Sequence, residues 1–388
     1  MKKALLTLLI IALYITKIGA QLNGDGYYRV QNDYTGRYVY VVDNKGSINT
    51  STSSIDMRAI SLWKDFEKAS SDPATVIYIK KVKGTGNEYD LYAQNTSTYD
   101  ITGGYHVKIR DNRNGTYWAS GSAQGMTIYL ADTETSVYSP DGFMGNGTGT
   151  DRNWRIIPIN QNDDNFFGIK GELSYNEKFY TTMYANFPFS TTTSNTKVYT
   201  ICDIKDNIAI IREESGDIAA GTPVIFECIS AAPIDNKLDI HSSTATAPKD
   251  NCLDGTYYCN SKNKHINRVE NNKKTMRVLG IMSNGELGFI TADCEYMPAN
   301  KAYLVVSADT PQEIPIMTEE EYQVYLDNKQ NEEPKEEPLP DGIQSIESDN
   351  KKSHGIYTIL GVKVSDKAED IESLPKGIYI INGKKYIK

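Results

Sequence analysis

The stretch YYRVQNDYTGRYVYVVDNKGSINTS, Tyr27 to Ser51, decides the fold. Tyr28-Arg29-Val30 runs into a polar turn at Asn32 to Gly36. An apolar strand from Tyr38 to Val42 follows, and then a second turn from Asp43 to Gly46. Aromatic and β-branched residues between Asn, Asp and Gly clusters are the pattern of short strands joined by tight turns. Comparable units recur in TVIYIKKVKGTGNEYDLYAQ and GTYWASGSAQGMTIYLADTE, and the series closes on NWRIIPI, Asn153 to Ile159. Units that cannot bury their apolar face alone must share one core, and a threefold series of this kind predicts a β-trefoil over residues 21–160.

The composition agrees with a mostly β chain: Tyr is abundant at 27 residues, Gly numbers 29, and long Ala/Leu/Glu/Lys stretches are nearly absent. One helical interruption is predicted in SSIDMRAISLWKDFEKASSDP. There Met57, Ile60, Trp63, Phe66 and Ala69 recur every three residues, Ser53 stands as N-cap, and Pro73 ends the pattern. Beyond the trefoil, residues 161–317 read as a second β domain, an antiparallel sandwich or barrel. Its expected strands are Val198 to Ile204, Ile208 to Glu213 and Pro223 to Ile229, with a hairpin turning at Ser283-Asn284-Gly285. Asp235 to Lys249 reads as an exposed loop.

The text then changes. Thr318 and Glu321 form a capping box for a short helix, and Asn331 to Asp341 is acidic and proline-bearing, so residues 318–341 read as helix and linker. Residues 342–388 form a small β module, at about 46 residues near the lower limit for independent folding. At the other end, Met1-Lys2-Lys3, the apolar run Ala4 to Ile15 and the small residue Ala20 read as a signal peptide over residues 1–20. A run of about 12 apolar residues is too short to span a bilayer. The expectation is therefore a secreted or outer-surface protein with no membrane span.

A net charge of −9 argues against nucleic acid as partner, because phosphate neutralisation needs clustered Lys and Arg. The five cysteines, Cys202, Cys228, Cys252, Cys259 and Cys294, lack the close pairing of a zinc site, and CLDGTYYC sets Cys252 and Cys259 within reach of a hairpin disulfide. Scattered buried thiols are the simpler reading. DNRNG, Asp111 to Gly115, has Arg113 where a calcium loop needs an oxygen ligand, so no metal and no cofactor are expected. The four histidines, His106, His241, His265 and His354, are dispersed, and no hydrolase elbow, zinc helix or phosphate loop is present. Catalytic residues are accordingly expected to be none, although a hydrolase working through paired carboxylates leaves no fixed signature in a sequence.

Binding asks for aromatic faces beside turns, rimmed by polar groups. Tyr40, Asp43, Asn44, Asn95, Tyr99 and Trp118 are the candidates, with Tyr34 and Tyr117 nearby. The GRYVYVVD strand and turn, the repeated aromatic units and the closing NWRIIPI resemble the ricin B type of β-trefoil lectin domain. In that family Gln-x-Trp marks each repeat, whereas here Asp151-Arg152-Asn153 precedes Trp154. The resemblance implies a carbohydrate-binding module.

The last residues resemble the C-terminal sorting domains of bacterial type IX secretion cargo. Pro375, Gly377 and Tyr379 match Pro-x-Gly-x-Tyr, IYTILGVKV matches the strand that pairs with it, and Lys384 and Lys388 match the terminal Lys-x-x-x-Lys. That likeness implies an encounter with secretion machinery. Taken together, the sequence predicts a multidomain, non-catalytic binding protein of the cell exterior, for a glycan first and a protein or peptide second. The alternatives are an extracellular hydrolase and a structural surface component.

Overall fold

The computed structural model describes residues 22–41, 60–63, 65–94, 107–123, 126–132, 144–146, 150–256, 269–332, 355–358, 363–381 and 384–388. The chain is mostly β and divides into two compact units at Tyr325/Leu326. No helix among the described residues is long and apolar enough to cross a membrane.

In the first β region six strands close a ring by antiparallel pairs. Gly26–Asn32 pairs Ile77–Lys81, which pairs Glu88–Ala93, then Val107–Asp111, Tyr117–Ala123 and Trp154–Pro158, and the last returns to Gly26–Asn32. Ring closure gives each of the six strands a neighbour on both sides and encloses Tyr28, Val30, Ile77, Ile79, Leu91, Ile109, Trp154 and Ile156. The Trp154 indole N–H donates to the Leu130 carbonyl at 2.8 Å, so this large side chain is both buried and polar-satisfied. Two hairpins stand off the ring: Tyr38–Val41 with Ile60–Trp63, and Met126–Asp132 with Met144–Asn146.

The helix predicted from Ser53 gives way to a strand over Ile60–Trp63. Ile60–Trp63 is a strand opposite Tyr38–Val41, and the helix is the single short segment Phe66–Ser71, capped by the Asp65 carboxylate accepting from the Glu67 amide. Period-three spacing of Ile60 and Trp63 loses to cross-strand pairing, in which every residue of the four finds a partner. Met57 and Ser53 lie outside the described residues.

The second β region is a ten-stranded curled sheet in the order Leu173–Tyr175, Lys178–Met183, Val224–Cys228, Lys197–Lys205, Ile208–Glu214, Glu313–Thr318, Leu287–Ile290, Met276–Ile281, Lys301–Val305, Leu253–Thr256. Its pairs are antiparallel except one: Ile208–Glu214 and Glu313–Thr318 run parallel, joined through five of the other eight strands of the sheet. The purely antiparallel expectation missed this pair because its partners lie about a hundred residues apart and carry no local turn signal. The Thr182 hydroxyl and the Ala302 backbone bond each other at 3.1 and 3.2 Å, which draws distant strands of the order together. Inside the curl lie Ile201, Ile225, Phe289, Leu304 and Ile314.

A further sheet, Phe167–Gly168, Lys237–Ile240 and Phe189–Thr191, contradicts the reading of Asp235 to Lys249 as loop throughout. Leu238 and Ile240 are buried at alternate positions, and the extended polar text begins only at His241. This sheet, the curled sheet and the outer side of the first ring share one core: Tyr27 and Val76 join Phe167, Phe187, Phe189, Phe226 and Leu238. Strand Gly26–Asn32 is thus buried on both faces, Tyr28 and Val30 toward the ring and Tyr27 and Arg29 toward the second region.

Arg29 is fully buried at this junction. Nε donates to the Ala69 carbonyl at 3.0 Å and Nη1 to Asn165 Oδ1 at 2.9 Å and the Phe166 carbonyl at 2.6 Å, between the rings of Phe66 and Phe167. Burial lowers its pKa to about 9, and it remains a cation at neutral pH.

Helix Glu319–Glu332 begins with the expected box: Thr318 Oγ1 accepts from the Glu321 amide, and Glu321 Oε2 accepts from the Thr318 amide. The second unit holds a four-stranded sheet in the order Lys363–Ser365, Ile356–Thr358, Ile378–Ile381, Lys384–Ile387, with Ala368–Ser373 as a 3-10 turn over Ile356, Tyr379 and Ile381.

Candidate functional site

Strand alternation sorts two adjacent aromatics. Tyr117 is buried in the ring, where its hydroxyl accepts from the Leu22 amide at 3.0 Å, and Trp118 turns outward and is half-buried. Trp118 Nε1 donates to Asn153 Oδ1 at 2.6 Å, which fixes the indole. Arg110, directly opposite on the neighbouring strand, holds its guanidinium carbon 5.3 Å from the ring centre, and that of Arg152 lies at 3.9 Å. The Tyr129 ring meets Trp118 edge-on at 5.8 Å, with Arg152 over it at 5.0 Å. The turn beside this cluster carries Tyr34, 66% exposed, and is tied in by the Asp33 amide donating to the Asn153 carbonyl.

Of the sequence candidates, Trp118 is therefore outward-facing, but one arginine already stacks on it. Tyr40 lies in the core at 6% exposure, so its ring is not offered to a ligand. Asp43, Asn44, Asn95 and Tyr99 lie outside the described residues, and the described part of the structure does not assemble the predicted set into one site. The arginines were missed because nothing in RNW or KIRD marks them as ring partners. The signal that could have found Arg110 is strand register, with Val107–Asp111 and Tyr117–Ala123 joined through the DNRNG turn.

A second feature had no sequence signal at all. Two adjoining clefts, of about 190 and 440 Å³, share Glu172, Thr181, Thr182 and Lys301. The smaller reaches Lys68 and Asp72 of the first region, and the larger is lined by Leu173, Val278, Leu279 and Met297. On the rim between them Lys301 Nζ meets Glu172 Oε2 at 2.7 Å, and Thr181 Oγ1 donates to the same carboxylate at 2.8 Å. Asp72 caps the turn Pro73–Thr75 by accepting from the Ala74 amide at 2.8 Å, and accepts from Asn300 Nδ2 at 3.3 Å. Burial raises its pKa to about 6, against the opposing pull of that amide, Lys301 and Arg29.

Asn300 Oδ1 accepts from Gln94 Nε2 at 2.7 Å, and Gln94 Oε1 accepts from the Asn186 amide at 3.1 Å, so a hydrogen-bonded chain runs across the junction. Two carboxylates in one cleft with different surroundings are the raw material of acid–base chemistry. Here both are already engaged in holding structure.

Among the described residues no group of three or more His, Cys, Asp and Glu gathers as a metal site. Cys202, Cys228, Cys252 and Cys294 are free thiols, burial pushes that of Cys228 up to about 12, and Cys259 lies outside the described residues.

In the second unit the sorting-like residues act on one another. The Tyr379 hydroxyl donates to the Pro375 carbonyl at 2.8 Å while its ring passes over Gly377, where an added Cβ would meet the hydroxyl oxygen at 3.4 Å and ring carbons at 3.5 Å. The Gly377 and Lys388 backbones exchange both hydrogen bonds, and Lys388 Nζ donates to the Glu372 and Leu374 carbonyls at the end of the 3-10 turn. Lys384 is exposed on the edge strand.

No family model and no curated protein matches the chain. Among solved structures the chain is similar to one described as "Structure and mode of action of a mosquitocidal holotoxin", with 11% sequence identity and a TM-score of 0.25 over 74% of this chain. The chain spans 42% of the length of that structure.

Proposed function

We propose that this is an exported, non-catalytic binding protein of the cell exterior, with a glycan as its first ligand class and a protein or peptide as its second. In this reading the first region is a ricin B-like trefoil. Its support is the strand order: the two described hairpins are inserted between the first and second and between the fifth and sixth ring strands, as trefoil units require. A third would fall at residues 95–106, outside the described residues.

The observation that carries binding is the outward Trp118 cluster, an indole that gathers two guanidinium groups and an amide on the outer side of the ring of strands. Residues 342–388 are read as a type IX sorting module that engages the secretion machinery. The mutual contacts of Pro375, Gly377, Tyr379 and Lys388 support it as a folded signal.

A glycan array tests the reading, performed on residues 22–325, because the shared core makes the first region alone an exposed half of a structure. Retention of no saccharide would remove the lectin assignment. The hydrolase alternative has one observation in its favour, Asp72 and Glu172 in one cleft. It would require polysaccharide cleavage that Asp72→Asn and Glu172→Gln abolish, and the binding reading expects no cleavage to abolish. A fusion of residues 342–388 to a periplasmic reporter tests the tail, and a reporter that stays periplasmic in a type IX-competent host returns it to being an ordinary sheet.

A further inference from the structure

We infer that Arg110, Trp118 and Arg152 form a clamp for the oxyanion of an acidic saccharide, a carboxylated or sulfated sugar. The inference rests on the glycan reading above and narrows it to a chemical class.

Other arginines of this region are paired with carboxylates. Arg155 puts Nε 2.6 Å from Asp33 Oδ1, and Arg37 binds Asp132 through Nε at 2.9 Å as well as through Nη2, so both spend their donors on carboxylates. Arg110 and Arg152 have no carboxylate partner among the described residues, although the chain as a whole is acidic at −9. Both instead lie against the same indole, at 5.3 and 3.9 Å.

A guanidinium packed on a ring at the 3.9 Å of Arg152 engages its flat face and leaves its in-plane N–H fork unspent, and Arg110, at 5.3 Å, lies within cation–π range of the same ring. It also fixes the orientation of the fork before any ligand arrives, which removes part of the ordering cost of binding. Two like charges around one ring repel, and a bound anion between them turns that repulsion into attraction. The indole N–H is committed to Asn153 and the indole face to Arg152, so Trp118 serves as the platform for the cations and not as a bare stacking face for a pyranose. A neutral sugar gains little from this arrangement. A carboxylate or sulfate ester matches the planar forks.

The test uses the full chain and three polymers: polygalacturonate, dextran sulfate and neutral dextran. Binding to at least one acidic polymer is expected, weakened about tenfold by Arg152→Gln or Arg110→Gln, with Arg152→Lys also impaired because it keeps the charge and loses the fork. Lys108→Gln, a change at an exposed cation on the same strand as Arg110, is expected to change little, and unchanged unfolding midpoints show that the variants are folded. Equal losses for Lys108→Gln and the arginine variants would mean general polyelectrolyte attraction and overturn the clamp. Acidic binding indifferent to both arginine variants, or binding to neutral dextran alone, would also overturn it while leaving the glycan reading in place. Failure on all three polymers, joined to a blank glycan array, would remove both.

Discussion

The junction of the two large β regions and the small C-terminal sheet solve the same problem, ordering polar chain against a core, by opposite means. At the junction the groups come from far apart: Arg29 meets Phe166, Gln94 meets Asn300, and Asn300 meets Asp72. They are desolvated, and each needs a partner from another part of the chain. In the C-terminal sheet the partners are neighbours. Tyr379 reaches Pro375, Lys388 reaches Leu374, and the buried hydrophobic side chains among the described residues are Ile356, Tyr379 and Ile381. Long-range polar contacts tie the first 325 residues into one unit, and local contacts let a short segment hold a shape of its own.

The strongest way to break the comparison is Arg29→Met. It strands the Phe166 carbonyl and Asn165 Oδ1 in the core, at about 1–3 kcal/mol each, while the Ala69 carbonyl keeps the Thr75 hydroxyl. A net loss of about 4 kcal/mol is expected in urea unfolding of residues 22–325. A loss below about 1 kcal/mol would show that the two regions do not depend on this contact. Next is Ile381→Ala, expected to remove about 3 kcal/mol from the C-terminal unit. With Ile356, Tyr379 and Ile381 as its buried cluster among the described residues, that unit should lose amide protection while the main transition keeps its midpoint. A shift of both transitions together would merge the two regimes.

The same contrast explains what the sequence disclosed. Alternation in GRYVYVV and NWRIIPI, the NG in SNGEL and the capping box at Thr318 are local signals, and the corresponding strands, hairpin and helix start are present. Trp118 outside and Trp154 inside were not sorted by the sequence reading; period-two alternation places them only once the strands and their facing layers are in hand. The parallel pair at Ala209 and Ile316, the short strand hidden in Lys237–Ile240 and the cleft between Asp72 and Lys301 depend on residues far apart in the chain. Arg29 illustrates the limit: in YYRVQ it sits between strand residues like any edge cation, and only a second layer packed against the strand makes it a buried one.

Asp72→Asn sharpens the junction side. The folded carboxyl titrates near 6, above the usual 3.8, so the stability tied to its protonated form is complete below 3.8 and is lost as pH rises through 6. The wild type should therefore gain stability between pH 7.5 and 5 from this group, and the asparagine variant, which caps Pro73–Thr75 equally well, should show a flatter curve. The gain from the substitution at pH 7.5 is on the order of 1–2 kcal/mol after allowance for solvent at the cleft mouth. Parallel urea-midpoint curves for the two proteins would exclude Asp72 as the source.

The smallest effect belongs to the tail. Tyr379→Phe removes one half-buried hydroxyl bond to Pro375 and leaves the ring over Gly377, so it should destabilise the second unit by about 0.5–1 kcal/mol without touching the first. Hydrogen exchange at the Ile356 and Ile381 amides reads this directly. If the Pro-x-Gly-x-Tyr pattern were kept for folding alone, export of a reporter would fall only as far as that small loss of protection. Export abolished at undiminished protection would instead mean that the hydroxyl is read by a partner, and the tail would then differ from the junction in purpose as well as in construction.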